Sequence, residues 1–136
     1  MSEPSTRPGT LLEISRRVRE GTQRFDPALR EFLDEFYLHP QRRAEALREE
    51  PGLLDDVKDA YLAATAEHLA MVYDLPLPEW AEGHGRRLRQ AFFAGGLESL
   101  KAVLTRESPA AFRRRLLFVS KNALDRPRRL QDAEPH

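Results

Sequence analysis

The 136-residue sequence predicts an all-α fold, a single-domain bundle of about six to seven helices around a long central helix at about residues 53–73. Apolar side chains recur every three or four residues through most of the chain, which is the helical period. Residues that typically start helices also recur along it. Only residues 116–119 form an apolar run with strand character. We interpret that run as a buried extended link or a continuing helix, because a lone strand has no partner.

Four Ser, Thr or Asp residues mark predicted helix starts, because their side-chain oxygens can accept hydrogen bonds from the free amides of a first turn. They are Thr10, Asp26, Ser108 and Ser120. Pro27 and Pro109 follow two of them at the first helical position, where a missing N–H has no cost. These helices are predicted to end at about residues 20, 39, 115 and 126, and further helices are expected at about 41–49 and 97–105.

The central helix is predicted from an apolar stripe whose members are three and four residues apart: Leu54, Val57, Tyr61, Ala64, His68 and Met71. Further apolar positions widen this stripe, and so broad a face belongs at the centre of a bundle. The helix must stop before Leu75-Pro-Leu-Pro78, because a residue that precedes proline avoids helical geometry. We expect one helical turn at Trp80, a flexible link at 83–85, and a short helix or a loop at 86–90.

Composition indicates one folded domain at residues 10–126, with a disordered leader at 1–9 and a flexible tail at 127–136. The chain is 40% hydrophobic and has a net charge of zero, so it is too apolar for disorder throughout. It has no cysteine, which excludes disulfides, thiolate metal sites and a cysteine nucleophile. The N-terminus lacks the apolar region of a signal peptide, and no apolar run approaches the roughly 20 residues that span a bilayer. We therefore expect a cytoplasmic protein.

No residue pattern predicts a catalytic, cofactor or metal site. A metal site needs three or four converging ligands, whereas the histidines are scattered: His39, His68, His84 and His136. Asp55 and Asp59 could share a cation, but acids in the first turns of a helix also complement its dipole. Gly95-Gly96 lacks the further glycines and the Lys-Ser or Lys-Thr of a phosphate loop. The simpler interpretation is that these glycines let the preceding phenylalanines pack under a helix start.

Charge is unevenly distributed along the chain. Residues 31–82 carry 13 acids and 4 bases, whereas residues 83–129 carry 3 acids and 12 bases. This division indicates either two oppositely charged faces or two segments that pack together and partly neutralise each other.

The arginine-rich end of the chain is the strongest candidate for a binding surface. Arginine forms paired hydrogen bonds with carboxylates and phosphates, so this segment suits an acidic protein or a nucleic acid. A merely solvated arginine face is the third alternative. The predicted partner-binding residues are Arg106, Arg113, Arg114, Arg115, Arg126, Arg128 and Arg129.

Three stretches, which begin Phe93-Ala-Gly-Gly, Glu107-Ser-Pro-Ala and Phe118-Val-Ser-Lys, resemble a small family of uncharacterised α-helical bacterial proteins. The stretch from His68 to Trp80 resembles the middle segment of that family, so the resemblance covers roughly residues 30–126. Such chains are associated with a neighbouring nucleotidyltransferase-like protein, in the manner of a toxin–antitoxin pair. The resemblance implies an antitoxin-like role in partner binding, and it carries over no catalytic residue.

Three hypotheses about function follow from the sequence. The first is a non-catalytic helical protein-interaction module, the antitoxin-like partner of a nucleotidyltransferase-type enzyme. The second is a DNA-binding transcriptional regulator that uses the arginine-rich C-terminal segment. The third is an enzyme with an unfamiliar site, for which the candidates are Tyr61, Glu67 and His68 because they share a helix. For His68, a hydrogen-bonded place in the core is the simpler interpretation.

Overall fold

The computed structural model describes residues 7–94 and 101–126, and this part of the chain is mainly α-helical, which confirms the predicted fold class. It contains six α-helices and a small two-stranded parallel sheet. The chain divides into two compact units. The described residues of the first run up to Leu54 and include Asp125 and Arg126, and the second is Asp55–Leu124. The predicted tail and most of the predicted leader lie outside the described residues.

The first unit begins with α1, Leu11–Glu20, whose start and end agree with the prediction. The Thr10 hydroxyl accepts a hydrogen bond from the Glu13 N–H at 3.0 Å, which satisfies an amide that has no partner within the helix. Gly21 ends the helix at φ 76°, a left-handed conformation that glycine adopts without a Cβ clash.

The second helix, α2, is Phe25–Leu38, and the prediction that Asp26 caps it is wrong. Arg24 occupies the cap position, so Asp26 and Pro27 lie inside the first turn, where an acid and a missing N–H are both tolerated. The buried Phe25 side chain accounts for this earlier start, because a helix that includes Phe25 places it with the apolar face. That face continues with Ala28, Leu29, Phe32, Leu33 and Phe36.

The end of α2 is held by a buried arginine. Arg43 Nε donates to the Phe36 carbonyl at 3.0 Å, and a terminal nitrogen of the same side chain donates to the Tyr37 carbonyl at 3.1 Å. These carbonyls belong to the last turn, whose acceptors lack helical partners. The helix predicted at 41–49 is a 3-10 turn at Pro40–Arg42 followed by α3, Arg43–Arg48.

The second unit begins with α4, Asp56–Val72, the predicted long helix. Its buried residues cover more of its circumference than the predicted stripe does, since Thr65 and Glu67 are buried. Met71, in contrast, is predicted to be part of the apolar stripe but is 60% exposed, whereas Leu69 and Ala70 in the same turn are buried. None of the described helices is long and apolar enough to cross a membrane.

Beyond α4 the chain is extended through Leu75-Pro-Leu-Pro78 and then forms a 3-10 turn at Glu79–Glu82, as predicted. Residues 86–90 form a loop rather than a helix. This loop leads into β1, Phe92–Phe93, which pairs in parallel with β2, Leu117–Phe118. The run at 116–119, interpreted as an extended link or a continuing helix because a lone strand has no partner, therefore contains a strand that pairs with residues 92–93. Stacked rings of Phe93 and Phe118, 4.7 Å apart, accompany the pairing.

The described helices between the strands are α5, Lys101–Glu107, and α6, Ala110–Arg113. Ser108 does not cap α6, contrary to the prediction, since Pro109 occupies the cap position. The buried Ser108 hydroxyl instead accepts from the Val119 N–H at 2.8 Å and lies within hydrogen-bonding distance of two carbonyls. Ser120 was also predicted to start a helix, but it starts only a turn over residues 121–124.

Candidate partner-binding site

A loop at residues 83–92 of the second unit carries exposed cations on a firmly attached backbone. The Leu88 N–H donates to the Arg115 carbonyl at 3.3 Å, and the Phe92 N–H donates to the Leu116 carbonyl at 2.9 Å. The loop is therefore fixed to the chain segment that follows α6 at two positions four residues apart.

The side chain of Arg86 attaches the same loop to the interior of the second unit. Arg86 is fully buried, and its guanidinium lies 5.0 Å from the centre of the Trp80 ring. One terminal nitrogen lies 3.5 Å from the Asp59 carbonyl oxygen in α4. A cation over an indole face is attracted by the ring's negative face, and the attraction is stronger when both are removed from water.

Arg115 is a second fully buried arginine and joins three elements of this unit. One terminal nitrogen donates to the Glu67 carboxylate of α4 at 2.6 Å and to the Ala111 carbonyl of α6 at 2.9 Å. The other donates to the Ala81 carbonyl of the 3-10 turn at 2.8 Å. The planar guanidinium can satisfy these separate acceptors at once, which an ammonium group cannot do in the same geometry.

Burial lowers the pKa of Arg115 to about 10; the Glu82 carboxylate opposes this shift, whereas the nearby charges of Arg87 and Arg114 add to it. The group is nevertheless charged at neutral pH. A buried cation needs a buried counter-charge, and Glu67 supplies it. Arg114 also contacts the Glu67 carboxylate, from a side chain that is half exposed.

Four arginines make up what we call the basic face. Arg87 and Arg89 lie in the anchored loop, and Arg113 and Arg114 lie at the end of α6. Arg87 donates to the Glu82 carboxylate at 2.6 Å and to the Arg114 carbonyl at 3.2 Å, so the loop and the end of α6 are neighbours. All four residues are exposed. Their exposed side chains can contact a negatively charged partner, although Arg87 and Arg114 already pair with Glu82 and Glu67.

An open groove of about 830 Å³ lies beside the basic face within the second unit. Its walls combine arginines with apolar side chains, including Phe92, which is 42% exposed. One acid at the start of α4 also contributes to the lining. The residues that line the groove include Asp56, Val57, Arg87, Leu88, Arg89 and Phe92.

The structure separates the partner-binding residues predicted from the sequence. Arg106 and Arg113 are exposed and Arg114 is half exposed, whereas Arg115 is buried and its guanidinium is not accessible to a partner. Arg126 lies in the first unit, where its Nε donates to the Asp34 carboxylate at 2.7 Å. The two remaining predicted residues, Arg128 and Arg129, lie outside the described residues.

The residues considered for catalysis have structural contacts. Glu67 balances Arg115, and the ring of Tyr61 packs edge-on against Phe112 with centroids 5.0 Å apart. His68 is half-buried on α4.

Among the described residues, no group of three or more His, Cys, Asp or Glu side chains could hold a metal ion. The Asp55 carboxylate, one of the two candidates for a shared cation, accepts a hydrogen bond from the Lys58 ammonium. Gly95 and Gly96 lie outside the described residues.

Sequence reasoning missed the loop arginines Arg86, Arg87 and Arg89. Three arginines within four residues, directly after Gly83-His-Gly85, are a local signal that could have been used. The burial of Arg86 carries no local signal, because it depends on Trp80 and on the Asp59 carbonyl.

Comparisons of this chain with protein-family models, with curated proteins and with solved structures found no match.

Proposed function

We propose that this chain is a cytoplasmic, non-catalytic protein-interaction module that binds an acidic segment of a partner protein through the basic face and the adjoining groove. The anchored loop carries the proposal. Arg86, Leu88 and Phe92 hold its backbone, while Arg87 and Arg89 remain exposed. A backbone that is already ordered loses little conformational entropy on binding, so the arginines are presented at low cost.

Two observations favour a protein partner over DNA. A helix of four residues, α6, is too short to act as a recognition helix in the major groove. The groove also combines Arg89 with exposed Phe92 and with Leu88, a mixture that suits a peptide with both acidic and apolar side chains. DNA binding by the arginine-rich segment is the competing outcome of the experiment below.

The family resemblance, which covers roughly residues 30–126, extends the proposal to the partner's class. The partner would be a bacterial nucleotidyltransferase-like enzyme encoded beside this chain, and the module would neutralise or assist it in an antitoxin-like manner.

The test is copurification of the tagged full-length chain with the product of the neighbouring gene. Arg89→Glu combined with Arg113→Glu reverses two exposed charges of the basic face, and we expect it to weaken binding at least about tenfold. Arg30→Glu combined with Arg48→Glu is the matched control, because it makes the same change in net charge at exposed positions of the first unit.

Equal loss of binding in both double variants would contradict the proposal, as would unchanged binding of the Arg89 and Arg113 variant. A gel shift of the gene's own promoter DNA that falls steeply with added salt, together with no copurified protein, would support the regulator instead. Circular dichroism of both variants confirms that the fold is retained.

A further inference from the structure

A second surface of the Asp55–Leu124 unit exposes apolar rather than basic side chains. Met71 and Val72, on the last turn of α4, are 60% and 54% exposed, and Leu77 in the following extended segment is 49% exposed. We call these three residues the apolar strip. Three large apolar side chains are thus about half exposed or more within seven positions of the chain, and exposed apolar residues that group together are often functional.

The backbone of the apolar strip is held in one conformation. Asp74 adopts a left-handed conformation at φ 54°, and the Leu75 N–H donates to the Ala70 carbonyl at 2.8 Å, which closes the helix end. Pro76 and Pro78 then restrict the extended segment and carry no N–H. A partner that covers the strip therefore orders little additional backbone and removes few backbone donors from water.

The carboxylates around the apolar strip specify the charge of its partner. No lysine or arginine occurs between Asp59 and Gly85. Glu67 and Glu82 are bound by arginines of the same unit. Asp74 and Glu79, in contrast, are exposed, and neither forms an ion pair within the described part of the chain. Two exposed carboxylates therefore lie next to the apolar strip in the sequence, in a segment that contains no lysine or arginine to balance them.

We propose that the apolar strip docks the apolar face of a basic amphipathic helix from a partner protein. Met71, Val72 and Leu77 contact the apolar side chains of that helix, and Asp74 and Glu79 face its lysines or arginines. A helix satisfies its own backbone hydrogen bonds, so it does not need the donors that Pro76 and Pro78 lack. This proposal does not rest on the proposed function, because it uses none of the residues of the basic face.

The test measures binding of the full-length chain to a fluorescent synthetic helix of about 18 residues, built from leucine on one face and lysine on the other. A second peptide carries glutamate in place of each lysine. The two peptides are compared in the Arg89→Gln, Arg113→Gln variant, because the basic face of the wild type would itself bind the glutamate peptide. In that variant, fluorescence anisotropy at low salt should give at least about tenfold tighter binding of the lysine peptide. Leu77→Asp or Val72→Asp should weaken that binding about tenfold or more. Asp74→Asn with Glu79→Gln should weaken it less and remove most of its salt dependence.

Leu53→Asp is the matched control, because Leu53 is 55% exposed but belongs to the first unit. The basic-face variant Arg89→Glu with Arg113→Glu should also bind the lysine peptide as the wild type does. Equal affinity of the Arg89→Gln, Arg113→Gln variant for the two peptides would overturn the proposal, as would an equal loss in Leu53→Asp. It would also be overturned if sedimentation showed a dimer that Leu77→Asp converts to a monomer, because the strip would then be covered by a second copy of this chain.

Discussion

Two arginines of the second unit, Arg86 and Arg115, are fully buried, although a charged side chain is costly to remove from water. Arg115 compensates this cost with one carboxylate, that of Glu67, and with the carbonyls of Ala81 and Ala111. Each acceptor lies on a different element, so one side chain positions the 3-10 turn, α4 and α6 together. The anchored loop that we propose as a binding surface is bonded to the backbone of this same residue.

Arg115→Met is expected to lower the free energy of unfolding by about 3–5 kcal/mol, because Glu67 would lose its fully buried counter-charge. Glu67→Met should also destabilise, and the double variant should lose less than the two single losses added together, by about 1–3 kcal/mol. Arg114→Met is the control, since that side chain is half exposed and should cost under about 1 kcal/mol. Urea unfolding of the wild type and the four variants measures these losses, and additive losses would show that the two buried groups are not coupled.

At the scale of elements, the sequence predicts a helix boundary correctly when the residue that sets it interacts only with that same helix. Thr10 and Gly21 act on α1 itself, and both behave as predicted. Ser108 is of an equally good capping type, but its hydroxyl bonds to Val119, eleven residues away, and so no cap forms. The sheet is missed for a similar reason. Two strands of two residues have little local signal. Helices are predicted between them, but the sequence pattern does not show that these helices bring the two strands side by side.

The start of α4 gives a prediction at this scale, because Asp55 caps it by accepting from the Lys58 N–H at 2.9 Å. Asp55→Ala should lower the free energy of unfolding by about 1 kcal/mol at neutral pH. Burial raises the pKa of the Asp55 carboxyl, but the hydrogen bonds and the charge of Lys58 outweigh this effect and hold the pKa below its usual value. The carboxylate therefore stabilises the folded state fully at pH values above its pKa in the unfolded chain. This stabilisation is lost as the pH falls through the lower pKa that the group has in the folded state.

Asp55→Asn isolates the charge, because asparagine is also a good cap. The stability difference between the wild type and this variant should narrow as the pH is lowered below about 4. Asp56→Asn, an exposed neighbour inside the first turn, is the control. A difference at Asp55 that stays constant with pH in urea titrations would show that the ionised carboxylate does not stabilise the helix start.

At the scale of the whole chain, part of the charge division between residues 31–82 and 83–129 is neutralised inside the fold. Glu67 with Arg115 and Glu82 with Arg87 join the two segments within the second unit, and Asp34 with Arg126 does so within the first. The sequence alone therefore predicts that residues 31–82 are acidic in total and that residues 83–129 are basic and rich in arginine. It does not show which arginines remain accessible, because the acceptors that bury Arg115 lie up to 48 residues away.

The remaining exposed charges lead to a prediction for the chain as a whole. Its net charge is zero, and its isoelectric point is about 6.9, so solubility should be lowest near pH 7. Added salt should raise solubility at that pH, because it screens attraction between acidic and basic surfaces of different molecules. Arg89→Gln with Arg113→Gln should move the minimum to lower pH, whereas Arg89→Lys with Arg113→Lys should leave it in place. Precipitation by polyethylene glycol across pH and salt measures this, and a minimum unaffected by salt would show that the exposed charges do not attract one another between molecules.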